Sequence, residues 1–124
     1  MKTLTPEGWK APIGYANGVV AEGTTIFVGG QVGWDAQQEF QSDDLTEQVR
    51  QTLQNVVDIL AVGNARPEHI VRMTWFVIDK RSDIGRMYRQ VIGRHFPAMS
   101  LVQVADLLEE GAKVEIEVTA VVPN

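Results

Sequence analysis

Residues 70–78 read IVRMTWFVI, and this run decides how the rest of the chain is organised. Its β-branched and aromatic residues favour a strand. Because neighbouring side chains on a strand point to opposite faces, both faces of this one are apolar. Val71, Met73, Trp75 and Val77 fall on one face, and Ile70, Phe76 and Ile78 fall on the other. Two-sided apolarity is typical of a central strand that is covered on both faces.

Two helices are predicted on either side of this strand. Residues 45–60 repeat Leu and Val at helical spacing, between a Ser-Asp-Asp cap at residues 42–44 and a Gly-Asn stop at residues 63–64. A second apolar stripe at helical spacing runs from Ile84 to His95.

Further strands are predicted at residues 25–31, at residues 100–105 and at Val114–Val122. The segment IGYANGVV, residues 13–20, is predicted to be the hairpin partner of the first of these, with Glu22-Gly23 as the turn.

The order of these elements predicts one α+β domain over residues 1–124, with two helices on one face of a mixed sheet. The 44% apolar content of the 124 residues is enough for one core. Two helices cannot cover both faces of such a sheet. We therefore expect its other face to pack against another subunit.

The amino-acid composition excludes or disfavours several classes of function. The absence of Cys excludes disulfides, thiolate nucleophiles and Cys-bound zinc. The net charge of −5, from 16 acidic and 11 basic residues, disfavours nucleic acid as a partner. We see neither a leader segment nor a run of ~18 apolar residues, so we expect a cytoplasmic protein without a membrane partner.

Known catalytic and metal-binding patterns are missing. The two His residues lack a metal-ligand spacing, so no metal site is predicted. Ser42, Ser82 and Ser100 lack the context of a nucleophile elbow. The Gly pair in GGQVG, residues 29–33, does not match a phosphate-binding fingerprint and indicates a turn or close packing.

Two carboxylates alternate with apolar residues in VEIEV, residues 114–118. Glu115 and Glu117 point to the same face of the predicted strand. A solvated outer face explains such a pair, and so does a cleft in which one carboxylate orients water or acts as a general base. Periodicity alone leaves both interpretations open.

Four segments together resemble the Rid family, the YjgF-type and RidA-like enamine/imine deaminases. They are IGYANGV (13–19), FVGGQVGWD (27–35), QVRQTLQNVVDILAVGNARPEHIVRMTWFVID (48–79) and FPAMSLVQVADLLEEGAKVEIEVTAVV (96–122). Each motif alone is weak, but their combination in this order is specific and spans nearly the whole chain.

The resemblance implies a chorismate-mutase-like α+β fold. Three subunits would pack their sheets into a barrel-like core with the helices outside, and ligand clefts would lie between adjacent subunits. The implied reaction is hydrolysis of a reactive enamine or imine, such as 2-aminoacrylate or 2-iminopropanoate, to a keto acid and ammonia. No metal or organic cofactor is implied.

The resemblance assigns site residues by their positions in the family motifs. Tyr15 in GYANG matches the family Tyr, and Glu115 matches the catalytic Glu that handles the attacking water. Gly29, Gly30 and Gln31 match the segment that supplies backbone groups to the ligand, with Gly29 in place of the usual Ser.

Met99 departs from the family pattern. The family motif FPARS is FPAMS here, so Met99 occupies the position of the carboxylate-binding Arg. Losing ~1.5–3 kcal/mol of charge-assisted binding lowers affinity roughly 10- to 150-fold. We therefore expect poor activity on small 2-imino acids, and a site that suits an apolar or aromatic ligand. Arg94 and His95 are candidates to line a reshaped cleft and supply a donor.

Two functions stay open on this basis. One is hydrolysis of a different enamine or imine with Glu115 as the water-handling residue. The other is a trimer that binds or senses a small molecule without catalysis. Ribonuclease activity, which has been attached to some family members, is disfavoured by the acidic balance of the chain.

Overall fold

A computed structural model describes residues 1–79 and 83–124, so Ser82 lies outside the described residues. The described chain forms eight main elements in this order: β1 (Lys2–Leu4), β2 (Gly18–Val20), β3 (Thr24–Val32), α1 (Leu45–Val62), β4 (Ile70–Val77), α2 (Ile84–Val91), β5 (Ala98–Gln103) and β6 (Val114–Val122). A single 3-10 turn, Pro67–His69, precedes β4.

The main sheet has four strands in the order β3-β6-β4-β5. β6 is antiparallel to both β3 and β4, whereas β5 is parallel to β4. Both helices pack on one face of this mixed sheet, where Leu53, Val56 and Leu60 of α1 join Met73 and Ile116 in a core with no exposed surface. The predicted α+β class and the one-sided helix layer are confirmed.

The ends of α1 also agree with the sequence. Asp44 caps the N-terminus, where its carboxylate accepts a hydrogen bond from the backbone N–H of Glu47 at 3.0 Å. The helix stops at Gly63, and Asn64 takes a left-handed conformation with φ 60°.

The predicted hairpin partner of β3 is wrong. β2 pairs with β1, and β3 pairs with β6 along most of its length. Gly23 has a φ of 146° and lies so close to the carbonyl of Val122 that a Cβ there would clash. After this turn β3 pairs with β6, whose nine residues can form more backbone hydrogen bonds than the three residues of β2.

The predicted faces of β4 are confirmed for Met73, Trp75 and Val77, which are buried on the helix side, but the predicted place of Ile70 is wrong. A register irregularity lies between Ile70 and Arg72, and it turns Ile70 into the helix-side core. Arg72 is exposed, and Thr74 and Phe76 are half-buried on the face without helices. β4 is an interior strand as predicted, but within one chain that second face is open.

His95 does not belong to α2, contrary to the predicted stripe. The helix ends at Val91, and Gly93 reverses the chain with φ 101°. His95 is half-buried in the following loop, where its Nε2 lies 2.6 Å from the carbonyl oxygen of Ile70.

One buried amide fixes the approach to β6. Gln48 is 1% exposed, and its Nε2 donates to the carbonyls of Ser42 and Gly111 at 3.0 and 2.9 Å. Its Oε1 accepts from the N–H of Lys113 at 2.8 Å. Gln48 therefore ties α1 to the loop that sets the position of Glu115 two residues later.

Gln48→Leu is expected to lower the free energy of unfolding by about 1–3 kcal/mol, because three part-buried hydrogen bonds to the backbone are lost. Gln54→Leu is the matched control on the same helix. Gln54 is exposed, and in the described part of the chain its side chain bonds only Asp58 at i+4, so we expect a loss of about 0.2–0.5 kcal/mol. Urea unfolding measures both, and equal losses would contradict the role of Gln48.

Candidate functional site

Glu115 lies on the face of the sheet that the helices leave open. Its neighbours Val114 and Ile116 are fully buried in the helix-side core, so the alternation of β6 directs Glu115 the other way. Its side chain is half-buried. Within the described residues no hydrogen bond or ion pair engages its carboxylate, which is therefore available to a water molecule or a ligand.

Gly30 holds the backbone of β3 directly against this carboxylate. A Cβ at Gly30 would lie 2.7 Å from Oε2 of Glu115. The register of β3 with β6 shifts between Val28 and Gln31, so the Gly pair forms the irregular segment. Gln31 is half-buried, and its Nε2 donates to the carbonyl of Gly29 at 3.2 Å. The two glycines and Glu115 are thus brought together within one chain.

Gly30→Ala is expected to reduce any Glu115-dependent activity by at least about tenfold, because the added methyl forces the carboxylate to move. Gly29→Ala is the steric control, since a Cβ there meets nothing within 4 Å. We expect a smaller loss for Gly29→Ala and similar melting temperatures for both variants. If Gly29→Ala loses as much activity, displacement of Glu115 is not the cause.

Met99 and Tyr15 meet elsewhere, at a cavity of about 350 Å³ on the helix side of the sheet. Met99 is half-buried and packs against the core, while Tyr15 is 44% exposed. The walls come from the N-terminal loop, β4, α2 and β5: Gly14, Tyr15, Trp75, Ile84, Tyr88, Met99, Ser100 and Leu101. None of these side chains is charged at neutral pH, so the cavity favours an uncharged, apolar ligand group.

Aromatic rings pack against one another along one wall of this cavity. Tyr88 lies 6.2 Å from Trp75 and stacks on Phe96 at 5.7 Å between ring centroids. The hydroxyl of Tyr88 donates to the carbonyl of His95. Burial raises the pKa of Tyr88, so its phenol stays neutral and acts as a structural donor.

Arg94 and His95 line a second cavity of about 410 Å³ near the N-terminus. Tyr15 belongs to the walls of both cavities. Arg94 is exposed, whereas one ring nitrogen of His95 is already engaged by the carbonyl of Ile70. Arg94 is therefore the freer of the two as a donor to a ligand near Tyr15.

The candidate residues form two groups that one chain keeps apart. Gly30 and Glu115 lie on the open face, at β3 and β6. Tyr15 and Met99 line the helix-side cavity, and β4 separates β6 from β5. A site that used both groups would need the second group from another copy of the chain.

Sequence reasoning did not identify Ile84, Trp75 and Tyr88 as cavity walls. The period-2 pattern does place Trp75 and Met73 on one face of β4. The position of α2 over that face depends on tertiary packing, which no local pattern encodes. Within residues 1–79 and 83–124, no group of three His, Asp or Glu side chains is arranged to hold a metal ion.

Solved structures share this fold, in which two helices pack on a mixed main sheet. The Rid-family protein YyfB of Yersinia pestis, described as of unknown function, superposes with a TM-score of 0.85 at 27% identity, and the match covers 98% of both chains. Escherichia coli TdcF, solved with bound serine, gives a TM-score of 0.73 at 32% identity over 98% of this chain and 99% of that one. The fold is therefore that of a single-domain α+β protein of the Rid type.

The sequence comparisons identify the family directly. The family model described as endoribonuclease L-PSP matches residues 8–122. The 2-iminobutanoate/2-iminopropanoate deaminase of Salmonella typhimurium is 34% identical over 126 residues, which cover 97% of both chains. The chain belongs to this family, whose members include the Rid and YjgF proteins. No described helix is both long and apolar enough to cross a membrane.

Proposed function

We propose that this protein hydrolyses a reactive enamine or imine in a cleft between adjacent subunits of a homotrimer. Glu115 orients the attacking water, and the backbone around Gly29, Gly30 and Gln31 positions the substrate. Tyr15 and the Met99 cavity of the neighbouring subunit complete the site. The reaction needs no metal or organic cofactor.

The separation of the two residue groups carries this proposal. Glu115 has an unengaged carboxylate on the open face, while Tyr15 and Met99 line a cavity on the helix side of the sheet. Relatives named 2-iminobutanoate/2-iminopropanoate deaminases make imine hydrolysis the chemistry that such a carboxylate supports best.

A barrel-like trimer core accounts for the apolar surface of the open face. Phe27 on β3 is 79% exposed and Val102 on β5 is 41% exposed, and both point away from the helix-side core. Large exposed apolar side chains that share one face of a sheet mark a surface to be buried against a partner. Two further copies of the same face would bury them around a threefold axis.

Met99 limits the substrate range. Its cavity offers no cation to a carboxylate, so small 2-imino acids lose the charge-assisted contact that an Arg would give. We therefore expect uncharged or aromatic enamines and imines to be the better substrates. A cytoplasmic location and the absence of nucleic acid as a partner remain predictions from the sequence.

The second candidate function is ligand binding without turnover. The neutral walls of the Met99 cavity favour it, because they retain a binding volume without the residue that anchors a carboxylate substrate. Both candidates share the trimer and the cleft.

Ammonia and carbonyl release from enamines and imines generated in situ distinguishes the two candidates. We expect wild type to release ammonia faster from a neutral aryl enamine than from 2-iminopropanoate. Light scattering should give three times 13.8 kDa, about 41 kDa. A trimer that binds aryl compounds but releases no ammonia above the uncatalysed rate would establish the binding role instead, and a monomer would contradict the shared cleft.

A further inference from the structure

Trp75 carries a buried hydrogen-bond donor without a partner. The residue is 3% exposed, and its Nε1 is closed off from solvent with no hydrogen-bond acceptor among the described residues. Buried polar groups in native proteins are nearly always paired, so an orphaned indole N–H calls for an explanation. Its ring lies in the wall of the Met99 cavity.

The cavity around Trp75 has room for a small molecule. Its volume of about 350 Å³ falls in the range of small-molecule sites. Met99 lines the same wall, and its unbranched side chain with three rotatable bonds can change conformation at little cost when a ligand enters. A ligand that brought an acceptor there would satisfy the donor.

We propose that the Met99 cavity binds the aryl group of a neutral ketimine or enamine, and that Trp75 sets specificity by donating its indole N–H to one acceptor on that ligand. The aromatic wall of Tyr88 and Trp75 fits a planar ring, and the neutral lining rejects a carboxylate. The acceptor is the imine nitrogen in the substrate and the carbonyl oxygen in the product.

This inference rests on the proposed function, whose substrate class it narrows. In the implied reaction the oxygen of water bonds to the imine carbon, the carbon–nitrogen bond breaks, and ammonia leaves as the aryl ketone forms. No oxidation or reduction occurs. The imine nitrogen of the substrate and the carbonyl oxygen of the product would accept the same hydrogen bond. A stable aryl ketone can therefore be used to measure binding without catalysis.

The test compares two probes of nearly equal shape, acetophenone and α-methylstyrene, of which only acetophenone carries an acceptor. NMR titration of the wild-type protein follows the three indole N–H signals, which Trp75→Phe and Trp34→Phe variants assign. Trp34 lies beside Phe40 rather than in the cavity, so Trp34→Phe is the matched control.

We expect acetophenone to bind wild type roughly 5- to 10-fold more tightly than α-methylstyrene, with a downfield shift of the Trp75 N–H signal. Trp75→Phe should remove that preference, and Trp34→Phe should retain it. Equal binding of the two probes, no binding of either, or an unmoved Trp75 signal at saturation would overturn the inference.

The wild-type titration does not depend on how well Trp75→Phe folds. Failure of the inference is also separable from failure of the proposed function. If ammonia release depends on Glu115 but acetophenone binds no more tightly than α-methylstyrene, only the proposed role of Trp75 is rejected. If acetophenone binds more tightly than α-methylstyrene but no ammonia is released from any imine, only the proposed catalytic activity is rejected.

Discussion

Met99→Arg is expected to raise kcat/KM for 2-iminopropanoate about 10- to 100-fold over wild type. The guanidinium would form a charge-assisted contact with the substrate carboxylate that the Met thioether cannot make. That contact is worth about 1.5–3 kcal/mol. Met99 already lines the cavity with Tyr15, so the added group would enter the volume in which the substrate is expected to bind. Release of ammonia and pyruvate measures the gain.

Leu101→Arg is the matched control for this gain. Leu101 belongs to the same strand, lines the same cavity and is 53% exposed, so an Arg there changes the net charge from −5 to −4 just as at position 99. We expect a gain of less than about threefold, since the charge is attached two residues away and lacks the required geometry. Equal gains would indicate general attraction of the anion. Efficient hydrolysis of 2-iminopropanoate by wild type would show that another cation, such as Arg94, already binds the substrate carboxylate.

Glu115→Gln in the Met99→Arg protein is expected to lower kcat by about 10²- to 10⁴-fold. The amide keeps the size of the side chain but can neither accept a proton nor orient water as a carboxylate does. Because Glu115 makes no hydrogen bond or ion pair within the described residues, its replacement should leave the melting temperature nearly unchanged. The same ammonia assay measures kcat, and thermal unfolding measures stability.

Glu117→Gln separates chemistry from charge. Glu117 lies two residues along the same strand, on the same face, and is exposed opposite Thr74. Its replacement removes the same unit of negative charge near the open face. We expect kcat to stay within about twofold of the parent. If the two Gln variants lose activity equally, Glu115 has no special part in handling water.

The sequence predicted those parts of the fold that depend on local physics. The caps of α1 at Asp44 and Gly63 follow from residues within one turn of each end, and the alternation of β6 follows from the period of its apolar residues. The hairpin partner of β3 failed because strand pairing joins distant segments, and a turn signal at Gly23 does not say which strand lies beyond it. The register irregularity between Ile70 and Arg72 was not predicted for the same reason.

The candidate site shows the same limit. Glu115 and Glu117 are equivalent by periodicity, and only the family resemblance favoured the first. The structure adds a physical difference, since Gly30 packs against the carboxylate of Glu115. The apolar cavity needed the packing of α2 over Trp75 and Met99, which joins residues far apart in the chain.

Subunit mixing tests the central claim, that one active site takes residues from two copies of the chain. Tyr15→Ala and Glu115→Ala would each be made in the Met99→Arg protein, unfolded together in equal amounts, and refolded. If Tyr15 of one subunit meets Glu115 of its neighbour, about a quarter of the interfaces in random trimers regain both residues, and about a quarter of the parent ammonia release should return. If each site lies within a single chain, every chain carries one defect, and the mixture would be no more active than the two variants assayed separately.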